Sequence, residues 1–384
     1  MTDSTPRNRR IAAVLVSLRL DGGAEALMRT LIDELDGEPY DIELFALRQP
    51  AASVIADFEA QGVAVHVLSA ARLIDPLRFL RFVRAVRRGH FDVLHTNLPP
   101  SNILGLICGT LLRIPVVVVL HNSETSADDH WYHGRLEHIL VQRFAAQVIA
   151  VGEQTAVARR AMAPDATISV LPNAVSSSMP LEVDERDALR ATLMTNPTGQ
   201  LLLAVGRLTQ QKAHEDMIAA FKLVLDRRDD VELVIAGRGR REPQLRRLVE
   251  ELGLEDRVHL VGVRTDIRRV LRAADAFVMS SHWEGLPVAL LEAMEAGLPV
   301  ASTNVGDIPV VLNGGVGVLV PPGNSAALAD AMIEVLALPR DQSGNANRRI
   351  VEERYSARTW ALAMTQHYDA AIATRHGRKR RAIS

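Results

Sequence analysis

Short apolar runs rich in valine, isoleucine and leucine alternate along the chain with longer segments whose apolar residues return every three or four positions. In the first half the runs are Ile11–Leu18, Asp41–Ala46, Val63–Leu68, Asp92–His95, Pro115–Leu120, Gln147–Val151 and Thr167–Leu171. In the second half they are Leu201–Val205, Val231–Ala236, Arg257–Val261, Ala276–Met279, Pro299–Ser302 and Gly317–Val320. Runs of this length predict strands, and the periodicity between them predicts helices, among them Gly23–Leu35, Pro76–Arg88, Ser101–Leu112 and Pro287–Ala296. Strands alternating with helices imply parallel sheets covered on both faces. The expected fold class is therefore α/β, with two doubly wound, Rossmann-like domains facing across a cleft.

The rhythm breaks between Asn173 and Gln200, where Ser176, Ser177, Ser178, Pro180, Pro197 and Gly199 predict a linker. This divides the chain into domains at 1–178 and 179–355, followed by a segment 356–384. In that last segment a helical pattern over Ala357–Ala373, after a loop at Pro339–Asn347, runs into a tail with Arg375, Arg378, Lys379, Arg380 and Arg381.

A chain of 384 residues has room for two cores. A net charge of -2 excludes a chain-wide nucleic-acid footprint, so no nucleic-acid partner is expected. The lone Cys108 has no internal disulfide partner and sits in an apolar run, which suits a small buried hydrophobe in a reducing cytoplasm. Arg7, Arg9 and Arg10 precede Ile11–Leu18, but that run is too short to span a bilayer, and Asp21-Gly22-Gly23 follows where a signal peptide would be cleaved. A cytoplasmic protein, free or peripheral on the inner membrane face, is expected.

Candidate chemistry lies in loops that follow strands. After the first strand, Gly22 and Gly23 open either a tight turn into a helix or a backbone approach to an anion. After Leu201–Val205, Gly206-Arg207-Leu208-Thr209-Gln210-Gln211-Lys212 places two permanent cations just before a helix. Arg207 can fork onto phosphate oxygens and Lys212 can act as a point charge, so together they suit a diphosphate. After Ala276–Met279, Ser280-Ser281-His282-Trp283-Glu284-Gly285-Leu286-Pro287 leads into a helix carrying Glu292, with Gly297 as its stop. A carboxylate accepts pairs of hydroxyl hydrogen bonds of the kind a sugar or ribose offers.

These residues resemble retaining glycosyltransferases of the GT-B fold, specifically glycosyltransferase family 4. The resemblance rests on the Glu-x7-Glu element from Glu284 to Glu292 within EGLPVALLEAMEAGLPV. It extends over nearly the whole chain through GGAE, LPNAV at Leu171–Val175, VGRLTQQK, VELVIAGRG and GGVGVLVPPGN at Gly314–Asn324.

The resemblance implies a sugar transferred from a nucleotide-sugar donor, a UDP- or GDP-sugar, to a carbohydrate or lipid-linked acceptor hydroxyl with retention of configuration. Such work belongs to polysaccharide or glycolipid assembly. It implies that Arg207 and Lys212 hold the diphosphate and that Gly22 and Gly23 approach it from the N-terminal, acceptor-side domain. It places Glu284, with Gly285 and Leu286, beside the donor sugar, Glu292 on the ribose, and His121 beside the reacting sugar. The C-terminal helix is expected to return to the N-terminal domain. No cofactor and no metal are expected, because cationic side chains supply the charge that Mg²⁺ would otherwise bring. One position departs from the pattern: the family usually has glycine directly after the motif lysine, where this chain has Ala213. Alanine is nearly the same size, so the loop is expected to survive. His214 is either a contact to nucleotide or phosphate or a surface histidine at a helix start.

Other signals are weaker. Gly237-Arg238-Gly239-Arg240-Arg241-Glu242 lacks the third glycine of a dinucleotide fingerprint. Asp128, Asp129, His130, His133 and His138 fit no standard metal spacing. Pro76–Arg88 is sharply amphipathic, with Phe79, Phe82, Val83 and Val86 on one side and Arg78, Arg81, Arg84 and Arg88 on the other. The basic face is either solvated or directed at anionic phospholipid. A GT-B-fold sugar-nucleotide epimerase and a non-catalytic sugar-nucleotide-binding protein are the alternatives.

Overall fold

In the computed structural model the chain divides into two units, Met1–Pro172 with Arg358–Ser384, and Asn173–Ala357. The structure describes residues 7–19, 22–68, 75–121, 131–162, 167–338 and 340–381. Asp128, Asp129 and His130, the His133 side chain and the side chains of the basic tail lie outside what is described. The division at Pro172/Asn173 stands earlier than the expected boundary after residue 178, and the return at Ala357/Arg358 stands just beyond 355.

Unit 1 holds strands β1 (Arg9–Leu15), β2 (Tyr40–Ala46), β3 (Val65–Val67), β4 (Val93–Asn97), β5 (Val116–Leu120), β6 (Gln147–Ala150) and β7 (Ser169–Val170). They form one 7-stranded sheet in the order β3-β2-β1-β4-β5-β6-β7, parallel throughout. Helices α1 (Gly23–Glu34), α2 (Ala52–Ala60), α3 (Pro76–Gly89), α4 (Pro99–Leu112), α5 (Trp131–Phe144) and α6 (Glu153–Met162) connect them. Phe82 and Val86 of α3, Leu106 and Cys108 of α4 and Val141 of α5 join one buried cluster with Val14, Leu94 and Val118 of the sheet. The three helices therefore cover one sheet face. Every residue of β5, Val-Val-Val-Val-Leu, is buried, as expected of a central parallel strand covered on both sides.

In unit 2 the linker predicted between Asn173 and Gln200 contains a helix, α7 (Val183–Leu193). Two of the acidic residues at its start form a capping box in which Glu182 and Glu185 satisfy each other's backbone N–H groups. Strands β8 (Gln200–Val205), β9 (Val231–Ala236), β10 (Val258–Gly262), β11 (Ala276–Met279), β12 (Val300–Thr303) and β13 (Gly317–Val320) form a 6-stranded parallel sheet ordered β10-β9-β8-β11-β12-β13. Helices α8 (His214–Leu225), α9 (Glu242–Glu251), α10 (Ile267–Ala273), α11 (Val288–Glu295), α12 (Ile308–Val311), α13 (Ser325–Leu336) and α14 (Arg340–Arg354) surround it. The loop predicted over Pro339–Asn347 is the first part of α14. Asn347, a poor helix former in isolation, is held there because its buried amide bonds to Leu298 O and to both Val316 N and Val316 O.

The last helix, α15 (Ala357–Arg381), enters unit 1. Tyr368 is fully buried with its hydroxyl 2.7 Å from His95 Nδ1 in β4, and Asp369 accepts from Tyr40 Oη at 3.0 Å. Of the apolar residues of α15, Trp360 and Met364 are buried, whereas Leu362 is 40% exposed.

Candidate functional site

The site residues of unit 2 gather at the carboxyl ends of β8 and β11, the strands on either side of the point where the strand order reverses. After β8 the chain turns through Gly206 and Arg207, makes a single 3₁₀ turn at Gln210–Lys212 and starts α8 at His214. The β9–α9 loop packs directly onto this turn. A Cβ at Gly237 would stand 1.9 Å from Gly206 O and one at Gly239 would stand 2.1 Å from Leu208 O, so neither position admits a side chain.

The turn aims Lys212 at the β11 loop, where Nζ lies 2.6 Å from Glu284 Oε1. Gln211 is the joint of the cluster. Its Nε2 donates to Trp283 O at 3.0 Å and to Glu284 Oε2 at 3.4 Å, its Oε1 accepts from Arg207 at 3.2 Å, and its carbonyl accepts from His282 N at 2.8 Å. Arg207, Gln211, Lys212 and Glu284 thus form one hydrogen-bonded set, with Arg207 exposed and the others largely buried. Gly285 O accepts from Asp307 N at 3.0 Å, and Leu286 O accepts from Asn173 Nδ2 at 2.6 Å. Asn173, from the LPNAV segment, is therefore part of unit 2 and fixes the loop that carries Glu284.

Glu292 stands on the second turn of α11. Among the described residues no side-chain hydrogen bond joins it to the Lys212–Glu284 set. Burial pushes its carboxyl up to about 7, with Glu295 adding to the rise and Arg268 opposing it. The helix begins after Pro287 rather than at it, so Pro287 is the residue before the first turn.

Ala213 adopts φ 46 and ψ 47, the left-handed region. Size was therefore the wrong criterion for the departure from glycine, because backbone conformation is what this position demands. His214 is 3% exposed, which overturns its reading as a surface histidine. Burial, aided by Lys212, pulls its ring down to about 3, so it is neutral.

In unit 1, His121 follows β5 and its Nε2 lies 2.7 Å from Asn97 Oδ1 at the end of β4. Burial, aided by His95, pulls the His121 ring down to about 4. Between Asn97 and α4 stands Leu98 at φ 75 and ψ 150, a conformation that is costly for any residue with a side chain and that collects at functional sites. Gly22 precedes α1 with extended backbone, and a Cβ there would stand 1.9 Å from a carboxylate oxygen of Glu25. The α1 N-terminus thus already holds a carboxylate, which itself accepts from Ser17 Oγ at 2.8 Å. Gly23 is the first residue of that helix.

Among the described residues no group of three or more His, Cys, Asp or Glu side chains is disposed to share a metal ion. Sequence reasoning missed Gln211, Asn97 and Asn173. Gln211 carried a signal, since an amide between two cations in a tight turn needs partners once it is buried. The two asparagines carried none.

Residues 21–178 match Glycosyltransferase Family 4, and residues 185–355 match Glycosyl transferases group 1. The chain is a glycosyltransferase. It is 25% identical over 345 residues to the UDP-Gal:alpha-D-GlcNAc-diphosphoundecaprenol alpha-1,3-galactosyltransferase of Escherichia coli, covering 86% of this chain and 89% of that one. It is 29% identical over 333 residues to the phosphatidyl-myo-inositol mannosyltransferase of Mycobacterium leprae, covering 83% and 85%. Its fold is that of Anabaena Alr3699/HepE, solved in complex with UDP-glucose, at a TM-score of 0.82 and 20% identity over 94% of this chain and 99% of that chain. The glycosyltransferase therefore has the two parallel-sheet domains of the GT-B fold.

Proposed function

We propose that this glycosyltransferase takes its sugar from a nucleoside diphosphate sugar, with UDP- and GDP-sugars as the donor class, and passes it to a hydroxyl of a carbohydrate or lipid-linked acceptor. The carrying observation is the set Arg207, Gln211, Lys212 and Glu284 at the carboxyl end of the unit-2 sheet, which brings two cations and a carboxylate to one loop pair. The Escherichia coli relative is named for a UDP-sugar donor and a diphosphoundecaprenol acceptor, and the mycobacterial relative for a phosphatidylinositol acceptor. Both names favour polysaccharide or glycolipid assembly. The work would then lie on the cytoplasmic side, at a membrane surface where a lipid-linked acceptor is reached.

In this reading Arg207 and Lys212 take the charge that develops on the departing diphosphate. Lys212 is shared between the phosphate and Glu284, which is placed beside the donor sugar with Gly285 and Leu286. Glu292, as a carboxylate, accepts both ribose hydroxyls. Gly22 and Gly23 offer backbone N–H groups to phosphate once the Glu25 carboxylate that stands against Gly22 gives way, and His121 faces the sugar as a neutral ring. The sugar C1–O bond to phosphate breaks as the acceptor oxygen bonds to C1 from the same face. The acceptor proton passes to the leaving phosphate oxygen, so configuration is retained without an enzymic nucleophile. No metal and no cofactor enter this scheme.

A thermal-shift screen over UDP-, GDP- and ADP-sugars would identify the donor. Transfer of its labelled sugar is then measured in EDTA, and the anomeric configuration of the product is read by NMR. Retained configuration and full turnover in EDTA are expected. An inverted product, or activity that returns only when Mg²⁺ or Mn²⁺ is restored, overturns the corresponding part. Interconversion of the donor without transfer would identify an epimerase, and bound but unchanged donor a binding protein.

A further inference from the structure

The outer face of the three-helix layer of unit 1 has a composition unlike the rest of the chain. On α3 the outward stripe reads Leu77, Leu80, Arg81, Arg84, Arg87 and Arg88, all exposed, with Leu77 at 65%. Arg78, assigned to this basic face from the sequence, is buried at 5%, so leucines take a larger share of the face than the helical wheel implied. Burial lowers the Arg78 pKa, against the raising effect of Asp75.

The neighbouring helices repeat the pattern. On α4, Ile107 and Leu111 stand one turn apart and exposed, the latter at 62%, and exposed Arg113 closes the helix. On α5, Leu136, Ile139 and Phe144 are exposed beside Arg135 and Arg143. The only carboxylate on the three helices is Glu137, which is buried and held by Asn102 at 2.7 Å and Arg159 at 2.9 Å. In a chain of net charge -2, this face therefore carries arginines and large apolar side chains and no exposed acid.

We propose that the outer face of α3, α4 and α5 docks on an anionic lipid bilayer. The arginines meet headgroup phosphates, and Leu77, Leu80, Ile107, Leu111 and Ile139 enter the boundary between headgroups and acyl chains. The argument is one of charge and chemistry. A solvated face does not expose this many large apolar groups, and a protein partner would have to present only acids against arginines set among leucines. A bilayer offers both chemistries side by side: fixed anionic charge at the surface and hydrocarbon immediately beneath it. No helix among the described residues is long and apolar enough to cross a membrane, so the proposed attachment is interfacial. The proposal stands independently of the donor assignment.

Two contributions of different salt dependence follow. Arginine attraction is screened within a Debye length of about 8 Å at physiological ionic strength, whereas buried apolar area is not. The test is flotation of the full chain with phosphatidylcholine vesicles containing about 30% phosphatidylglycerol, at about 0.05 M and about 0.5 M NaCl. The wild-type chain is expected to float at low salt and to remain partly bound at high salt. Changing Arg81, Arg84, Arg87 and Arg88 together to serine should weaken low-salt binding by about a hundredfold or more. Leu77→Ser, Leu80→Ser and Leu111→Ser combined should weaken binding about tenfold and remove the salt-resistant fraction. In a separate Leu111→Trp chain, lipids brominated in their acyl chains should quench the new tryptophan, a readout that does not depend on the serine variants folding.

A wild-type chain that stays off the vesicles at low salt overturns the proposal. So does unaltered binding of the leucine variant together with an unquenched Trp at 111, which would leave surface attraction by the arginines with no apolar insertion. A dimer in solution that Leu111→Ser dissociates, with no flotation, overturns it in favour of a second copy of the chain. Loss of sugar transfer with flotation intact bears on the donor site alone.

Discussion

Lys212 Nζ lies 2.6 Å from Glu284 Oε1, in an ion pair whose side chains are 14% and 6% exposed. The two groups assigned to the donor thus neutralise each other in the free chain. A diphosphate that draws on Lys212 does so against this pairing, and Gln211 Nε2, 3.4 Å from Glu284 Oε2, stays in place as one of the groups that hold the carboxylate. Breaking a desolvated pair by removing one partner leaves an uncompensated charge.

Lys212→Ala is therefore expected to lose turnover and also roughly 3 kcal/mol of stability, while Lys212→Ala combined with Glu284→Gln recovers most of the stability and none of the turnover. Denaturant unfolding beside a transfer assay separates the two effects. Arg207 is exposed and makes a 3.2 Å bond to Gln211, so Arg207→Ala should lower turnover with a stability change of only about 0.5 kcal/mol. Near-normal turnover in both single variants would remove the phosphate assignment.

Glu292 predicts a pH dependence of definite sign. Burial raises its carboxyl from 4.5 to about 7. Between those values the folded chain holds a proton that the unfolded chain has released, so the group's contribution to stability falls as pH rises through this window and is level above it. Donor binding runs the other way, because only the carboxylate accepts two ribose hydroxyls, and affinity should rise as pH passes about 7. Glu292→Gln should flatten both profiles. Calorimetric titration of the donor at a series of pH values reads the second, and a rise in affinity that persists in Glu292→Gln would assign the titration elsewhere.

Ala213→Gly is expected to stabilise unit 2. An alanine at φ 46 costs roughly 1–2 kcal/mol relative to glycine in the same conformation, and the greater freedom of glycine in the unfolded chain returns about half of that. A net gain of about 1 kcal/mol by denaturant unfolding is the expected result. A loss of stability would mean that packing of the buried methyl outweighs the backbone term.

Much of this was legible in the order of residues, for identifiable reasons. Each predicted strand is present, with ends displaced by a few residues, because buried parallel strands leave continuous β-branched runs such as Val116–Leu120. The elements that escaped, α7 and the start of α14, are held by capping and by long-range side-chain bonds: Glu182 with Glu185, and Asn347 with Leu298 and Val316. Local propensity does not record such partners. The charged members of the unit-2 site were legible because Arg207, Lys212 and Glu284 follow strands in recognisable motifs. Gln211 left only the hint of an amide set between two cations, and Asn97 and Asn173 left none, because an amide declares its role through what it touches. Arg78 misled for the converse reason, since its place on a helical wheel says nothing of the neighbours that bury it.

The contact between His121 and Asn97 carries the last prediction. An amide oxygen only accepts, so Asn97 Oδ1, 2.7 Å from Nε2, requires the proton on Nε2 and leaves Nδ1 as the acceptor of the ring. Burial keeps the ring neutral by pulling it down to about 4, so this tautomer persists across the physiological range. Asn97 is itself fixed, with its backbone N–H donating to Ser101 Oγ at 3.2 Å and Leu98 following at φ 75. If His121 accepts a hydrogen bond from a substrate hydroxyl, Asn97→Leu should release the tautomer and lower turnover about a hundredfold, the scale of a lost alignment at a reacting centre. Asn97→Asp keeps the shape but sets a carboxylate beside the ring, raising the His121 pKa and moving the acid limb of the rate profile to higher pH. Nitrogen chemical shifts of the imidazole report the tautomer directly. A wild-type rate in Asn97→Leu with His121→Ala still inactive would show that His121 acts without this support. A wild-type rate in His121→Ala would remove the histidine from the reaction altogether.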